Sequence, residues 1–585
     1  ADRALQQESY VAPGTETERL LAGVWQEVLG IERVGVTDNF FHLGGHSLAA
    51  SRLVARINTG WKINFPVIEL YRHPVVGLLA GFIDKNIENI RVENRLDTDI
   101  PCRGQLDSAP LSFPQKDLWY LFKNTGLSAA YNICSALSLK GDVDVHKARA
   151  AIDFLLHRHS SLRSYIGERD EGPVQIFSTD KLTCFEYAES EIDYSGWEDA
   201  AILGSSYVKE YIKAFSNRPF DIHTPPLIRV KLFKLTSNLA LFLINIHHII
   251  SDLWSMELLI ADFCSFYNEP QVELKNSISP VAHYSDFSTW QHSDVAHQLF
   301  FKQEQYWRKN LDGLPPRLNL PYDNQAPADS FSEHGKVLRF TLPNVDVSSI
   351  KGFIAEEQIS LFMVLMSAYA VTLSHYSGQS DIIIGTDHAN RNGKNMDNVV
   401  GFFINQLAIR VNVDATKSFA DLLLQVKEKA IEAYDNKDIP FNQLLKNLNV
   451  KREKGYSPLF QTKLVLYNTQ ENEINVNGVD VSFVEPEVET AKFDVMLSIK
   501  ERDGLLSIDV QYKTSRFKPE TISNLVKCFE ETLNQAISNL HSPISVLLSR
   551  LALTFPTTNT MNIDRAAAQA KSMFSKFKKN REEIN

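Results

Sequence analysis

Apolar residues recur at three- and four-residue spacing from Thr15 to Leu29. Leu20, Leu21, Val24, Trp25, Val28 and Leu29 fall on one stripe. Thr17 and Glu18 put polar and acidic groups at its start and Gly30 follows its end, which predicts a helix. The spacing resumes through Leu48, Ala49, Ser51, Leu53, Val54 and Ile57, and in shorter pieces at Val67–Tyr71 and Val75–Phe82. Residues 1–14 and 85–107 are polar and poorly periodic, so they read as linkers around a helical domain at 15–84.

Beyond residue 107 the pattern changes. Leu239–Ile244 is short, continuous and rich in large apolar side chains, and reads as a buried strand. Asp381–Thr386 reads the same way, Gly335–Leu342 alternates like a strand, and Leu505–Lys513 is a further strand. Val145–His157, Leu361–Tyr376 and Pro519–Ile537 have helical spacing. Interleaved strands and helices predict a large α/β domain, divided here into lobes at 108–280 and 281–555. Residues 556–585 are loop-like and then basic, and read as a C-terminal linker or tail.

The chain has 585 residues and 44% hydrophobic composition, enough for several packed domains. Its net charge of −11 gives no nucleic-acid footprint. No apolar run approaches the roughly 20 residues of a membrane span, so no membrane partner is expected. The chain begins Ala-Asp-Arg without Met or an apolar signal segment, which predicts a piece of a longer protein. Its five cysteines are scattered, without metal-ligand spacing; they read as free thiols in a reducing cytoplasm, with no metal site.

Ser47 stands behind Gly44 and Gly45 at the predicted start of a helix. An N-cap serine is a common arrangement. The setting also suits a modified serine. Glycines keep bulk away from the hydroxyl, and free N–H groups with the helix dipole favour an attached phosphodiester. The whole string Asp38–Asn39–Phe40–Phe41–His42–Leu43–Gly44–Gly45–His46–Ser47–Leu48 resembles the signature of peptidyl carrier domains at every defined position. That resemblance implies a four-helix bundle with a covalent 4′-phosphopantetheine arm on Ser47. The arm's thiol would hold an aminoacyl or peptidyl group as a thioester. A phosphopantetheinyl transferase and an upstream adenylation domain are the implied partners.

The strand at Leu239 runs into His247 and His248, with Asp252 four residues on. Successive strand residues face opposite sides, so one imidazole should face a cleft and the other inward. A hydrogen-bonded structural pair is the ordinary reading of two adjacent histidines. The full string His247–His248–Ile249–Ile250–Ser251–Asp252–Leu253–Trp254–Ser255 resembles the core motif of nonribosomal peptide synthetase condensation domains, with Leu253 where these domains carry Gly. Further partial matches follow in family order. They are Ser112–Trp119 with Pro114 for Ala, Arg158–Arg163 with Ser160 for Glu, His283–Trp290, Val400–Gln406, Asp438–Phe441 and Arg452–Phe460.

The implied fold is multi-domain. A small all-α four-helix carrier bundle precedes a large α/β condensation domain of two chloramphenicol-acetyltransferase-like lobes in a V. The resemblance makes His248 the active-site histidine and His247 its support. It makes Asp252 a structural carboxylate, for which Arg391 is the best-matching partner. Ser255 and Asn405 are candidates to line the cleft. The implied reaction is amide formation: the amine of an acceptor aminoacyl thioester, held on a downstream carrier domain, attacks the donor thioester. A thioester is already activated, so the protein's task is positioning and one proton. An α-amino group has a pKa near 8, and a histidine near 6.5 can take that proton at neutral pH. Whether His248 is the base or orients the amine stays open. So do epimerisation, ester formation, and a non-catalytic docking or recruitment role.

Overall fold

The computed structural model describes residues 10–45, 47–61, 63, 65–90, 100–170, 172–271, 282–324, 334–391, 395–450, 453, 455–467, 474–502 and 504–556. The tail at 557–585, Arg452 and Lys454 of the last partial match and His46 lie outside them, as does the side chain of Ser47.

Four helices make up the N-terminal unit: α1 (Glu16–Leu29), α2 (Ser47–Trp61), α3 (Val67–Arg72) and α4 (Val76–Ile90). α1 starts where its chemistry dictates. Thr15 caps it and Glu18 reaches back to complete a capping box. Gly30 ends it in the left-handed region, at φ 64°. The bundle closes over Leu21, Trp25, Phe40, Leu53, Ile57, Leu70, Leu79 and Ile83, each fully enclosed. Leu20, on the expected stripe, is instead exposed. α4 runs to Ile90, past the linker boundary drawn at residue 84.

The rest of the chain is built on three sheets. The first half holds β1 (Ser108–Pro110), α5 (Phe113–Thr125), β2 (Asn132–Gly141), α6 (Val145–Arg158), β3 (Ser164–Arg169), β4 (Gly172–Phe177) and β5 (Phe185–Glu189). It continues with α7 (Asp199–Gly204), α8 (Ser206–Ser216), β6 (Ile228–Thr236), β7 (Leu239–His247) and α9 (Leu253–Asn268). The second half holds β8 (Gly335–Leu342), β9 (Asp381–His388), β10 (Asn405–Asn412), β11 (Thr462–Tyr467), β12 (Val479–Val484), β13 (Val495–Arg502) and β14 (Leu505–Lys513). Its helices include Tyr284–Trp290, Leu361–Ser377, Phe419–Asp435 and Pro519–Ser538.

β7 is buried at all nine positions, because its sheet is covered on both faces. Phe242, Ile244 and Ile246 pack with α6 and α9, and the Phe242 and Phe263 rings stack with centroids 4.4 Å apart. Leu239, Leu241 and Leu243 face Val208 and Ile212 of α8. The apolar run therefore feeds two cores, one through each face.

The six-stranded sheet has the order β10-β9-β11-β13-β14-β8, and Leu361–Ser377, buried along nearly its whole length, packs against Pro519–Ser538. The five-stranded sheet has the order β12-β2-β7-β6-β5. Its edge strand β12 comes from the second half of the chain and pairs antiparallel with β2, Val479 opposite Gly141 and Val484 opposite Ala136. The lobes expected at 108–280 and 281–555 are thus interlocked, one lending the other a strand.

Candidate active site

β7 ends at His247, and the chain turns at once into a short 3-10 turn, His248–Ile250. The two imidazoles diverge because His248 has left the strand. His247 is 5% exposed, and its Nδ1 accepts the N–H of Ile249 at 3.1 Å. His248 is half-buried. Its backbone N–H donates to the Tyr131 carbonyl at 2.7 Å, and its ring lies 4.5 Å from that of Phe402.

His248 Nδ1 lies 2.8 Å from the carbonyl oxygen of Ser251. A carbonyl can only accept, so Nδ1 carries the proton in the neutral ring and Nε2 is left with its lone pair. The imidazole thus holds its acceptor nitrogen in a fixed direction. Burial, aided by the positive charge of Lys492, lowers its pKa to about 4 from 6.5. The Ser251 carbonyl and Asp252 oppose that shift without reversing it. His247 is lowered to about 3, chiefly by burial and then by His248. The expected histidine near 6.5 is therefore corrected: this one stays neutral well below neutral pH.

Asp252 is fully enclosed and makes no contact with a cleft. It caps α9, accepting from the N–H of Ser255 at 2.8 Å and from its hydroxyl at 2.7 Å. Arg391, at the end of β9, brings Nη2 to 2.9 Å from Asp252 Oδ1 and 2.8 Å from Ser255 Oγ. Arg391 Nη1 donates to the carbonyls of Met396 and Val399 at 2.9 and 2.5 Å. Asp252 Oδ2 takes the N–H of Phe403 at 3.2 Å. The two terminal nitrogens of Arg391 and both oxygens of Asp252 are thus engaged, while Arg391 Nε is left without a partner; a paired, hydrogen-bonded charge is the form a low-dielectric interior tolerates.

Ser255 and Asn405 do not line a cleft. Ser255 is fully enclosed, its hydroxyl shared between Asp252 and the Gly401 carbonyl at 3.0 Å, while Gly401 N–H donates back to it at 3.0 Å. Asn405 is 4% exposed; it donates to the carbonyls of Lys437 and Ile439 and accepts from the N–H of Phe441. Both residues brace backbone segments against each other.

Three further matched stretches, Ser112–Trp119, His283–Trp290 and Val400–Gln406, converge on the same place. Gln115 Nε2 donates to the Ile249 carbonyl at 2.9 Å, holding the histidine turn. The Tyr284 hydroxyl donates to the Phe402 carbonyl at 2.6 Å and lies 2.7 Å from Ser112 Oγ. Gly401 lets the Tyr284 ring pass, since a Cβ there would sit 2.0 Å from Cδ2. Tyr131, Phe402 and Lys492 surround His248; Phe402 falls within the matched stretch Val400–Gln406, whereas Tyr131 and Lys492 carry no signal of their own in the sequence. Lys492 lies on the chain between β12 and β13, with Nζ 4.1 Å from the centre of the Tyr131 ring.

In the helical unit, Ser47 is the first residue of α2. Gly44 sits at φ 92° with open space where a Cβ would be, whereas a Cβ on Gly45 would meet the Phe40 ring at 2.3 Å. So Gly44 serves the turn and Gly45 serves packing, rather than both clearing room for the serine. The open ground at Gly44 and the N-terminal end of a 15-residue helix fit a phosphodiester-linked arm. Among the described residues no cluster of His, Cys, Asp and Glu could hold a metal ion, and no helix is long and apolar enough to cross a membrane.

Comparison with known proteins agrees in order and extent. A family model described as a phosphopantetheine attachment site matches residues 19–83, and one described as a condensation domain matches 105–550. A linear gramicidin synthase of Brevibacillus parabrevis is 32% identical over 92% of this chain, and surfactin synthase subunit 1 of Bacillus subtilis (strain 168) is 33% identical over 92%. The chain spans only 7% and 14% of those two proteins. Among solved structures, the X-domain from teicoplanin biosynthesis superposes on 76% of this chain and 98% of its own, with a TM-score of 0.67 at 19% identity. A four-domain nonribosomal peptide synthetase bound to AMP and glycine covers 75% of this chain and 34% of its own, with a TM-score of 0.64 at 20% identity.

Proposed function

Since the chain belongs to the condensation-domain family, with a phosphopantetheine attachment domain ahead of it, we propose that it forms peptide bonds within a larger nonribosomal peptide synthetase. The donor is an aminoacyl or peptidyl thioester attached through Ser47. The acceptor is the amine of an aminoacyl thioester on a downstream carrier domain. A phosphopantetheinyl transferase supplies the arm, and an upstream adenylation domain activates the donor amino acid.

The observation that carries the reading is the tautomer of His248. Its Nδ1–H is committed to the Ser251 carbonyl, so Nε2 is the acceptor. The arm, once attached, supplies an activated acyl group as its thioester. This chain's own residues place the amine against it. His248 Nε2 accepts a hydrogen bond from the incoming amine and fixes the direction of the nitrogen lone pair. As the C–N bond forms and the C–S bond breaks, the nitrogen sheds one proton and the departing sulfur takes one up. A pKa lowered to about 4 makes His248 a weak proton store, so orientation is its larger role, with transient proton transfer from the nitrogen second. His247 braces the turn through the Ile249 N–H. The Asp252–Arg391 pair fixes the start of α9 just behind it.

The test uses the intact chain with Ser47 loaded with an aminoacyl arm and a loaded acceptor carrier added. Mass spectrometry of the acceptor should show a dipeptide, absent with Ser47→Ala and strongly reduced with His248→Ala. A His248→Ala chain that still forms dipeptide at the parent rate overturns the role given to His248.

A further inference from the structure

The serine-bearing helix of the carrier lies against the condensation domain, and its contact is concentrated on one carboxylate. Arg52 of α2 places Nη2 2.7 Å from Asp397 Oδ2, and Arg56, one turn on, places Nη2 3.7 Å from the same atom while its Nη1 pairs with Glu27 of α1 at 2.6 Å. These are not ordinary surface ion pairs. The side chains are only 25%, 18% and 16% exposed for Arg52, Arg56 and Asp397. Enclosure of that degree reduces the screening that makes most exposed pairs nearly worthless.

Asp397 also stands on a braced turn. It sits in the 3-10 turn Met396–Asn398. Trp254 Nε1 donates to the Asp397 carbonyl at 2.9 Å, and Arg391 grips the carbonyls of Met396 and Val399 on either side. The Trp254 ring meets two guanidinium groups, with Arg52 of the carrier and Arg391 of the Asp252 pair each 5.5 Å from the ring centre. A second patch adds register. The Val67 N–H at the start of α3 donates to Asp435 Oδ1 at 3.3 Å, and Lys427 lies 5.9 Å from the centre of the Tyr71 ring.

We propose that Asp397 is the residue by which this condensation domain recognises its donor carrier, with Arg52 and Arg56 on the Ser47 helix as the cognate groups. The inference rests on the carrier and condensation reading above and deepens it by naming the docking surface. One acidic residue on a rigid turn reads two arginines spaced four apart, the spacing that puts both on one helix face. A carrier lacking that basic pair meets an enclosed, unpaired carboxylate instead, which is costly to bury.

The test keeps the chain intact and compares four proteins: the parent, Asp397→Lys, Arg52→Asp with Arg56→Gln (neutral, since Arg56 also pairs with Glu27 within the carrier), and all three changes together. Two readouts are taken. Amide hydrogen exchange of the unloaded chain follows peptides covering 50–58 and 396–399. Dipeptide formation follows the loaded chain with a loaded acceptor. Each one-sided reversal should raise exchange in both peptides and slow dipeptide formation about tenfold or more, and the combined swap should recover most of both losses. The Arg52 and Arg56 changes leave the condensation domain's own sequence untouched, so a folding defect from Asp397→Lys does not decide the result. Unchanged exchange in the one-sided variants, or a combined swap no better than they are, overturns the proposal. If the exchange pattern follows the charges while even the parent yields no dipeptide, the docking surface stands and the peptide-bond reading falls.

Discussion

Arg391 Nη2 lies 2.9 Å from Asp252 Oδ1 with both side chains almost wholly shut off from solvent. The pair joins the end of β9 in one half of the fold to the first turn of α9 in the other. Burial pulls the guanidinium below its ordinary pKa, and the Asp252 charge opposes that shift. Removing one partner leaves an uncompensated charge in the interior, so Asp252→Asn or Arg391→Met should each cost about 3–5 kcal/mol. Urea denaturation of the single variants and the double variant checks this. The double variant should be less than additive, since it leaves no lone charge.

The low pKa of His248 has two consequences of different sign. In the unfolded chain the imidazole titrates near 6.5, whereas in the folded chain burial holds it to about 4. Between those values, as pH falls, the unfolded chain gains a proton that the folded chain refuses. Stability is therefore full above about 6.5 and declines towards pH 4. His247, lowered to about 3, adds in the same direction. Denaturation midpoints from pH 8 to pH 4 should fall less steeply in His248→Gln than in the parent.

For catalysis the same shift removes an expected feature. His248 is neutral throughout the range above pH 5, so the rate of dipeptide formation should show no break near 6.5. It should instead rise with pH as the acceptor amine, with a pKa near 8, loses its proton. A pH–rate profile on the intact loaded chain checks this, and an acid limb centred near 6.5 would contradict the assigned pKa.

Gly401 is a packing glycine. A methyl group there would be placed 2.0 Å from Cδ2 of Tyr284, a side chain held by hydrogen bonds to Phe402 and Ser112. Gly401→Ala should destabilise by about 1–3 kcal/mol through overpacking. Thermal unfolding checks the loss, and Tyr284→Ala should relieve part of it in the double variant.

Leu253 occupies the first position of α9 and is 37% exposed. Nothing in the structure requires its side chain there. Replacing it by the glycine usual in this family should cost at most about 1 kcal/mol of helix stability and leave dipeptide formation within a few fold of the parent. A large gain in rate would show that the leucine obstructs the path to His248.

The sequence made β7 and its histidines legible because a strand covered on both faces leaves a continuous apolar run. The bundle at residues 15–84 was legible through the apolar stripe of α1 and its closing Gly30, although the residue that caps the helix is Thr15 rather than Thr17. Direction was harder to read than proximity. Ser255 and Asn405 lie within recognisable motifs, yet both turn inward to satisfy buried polar groups, a choice made by tertiary packing. Tyr131, Phe402 and Lys492 reach His248 from three distant segments, and no local pattern could assemble them. β12 was invisible as a strand of the first sheet, because its partner in β2 is set by topology alone.

That last strand bears on how the protein comes into being. The first sheet reads outward from β7 to β2, and β2 then waits for a neighbour encoded far downstream. A ribosome adds about 5–20 residues per second, so β2 stands as an open edge for on the order of half a minute while the second half is made. An uncovered edge is a template for pairing with other chains. Expression of residues 108–280 alone would leave that edge permanently bare, whereas the complete chain seals it with its own Val479–Val484.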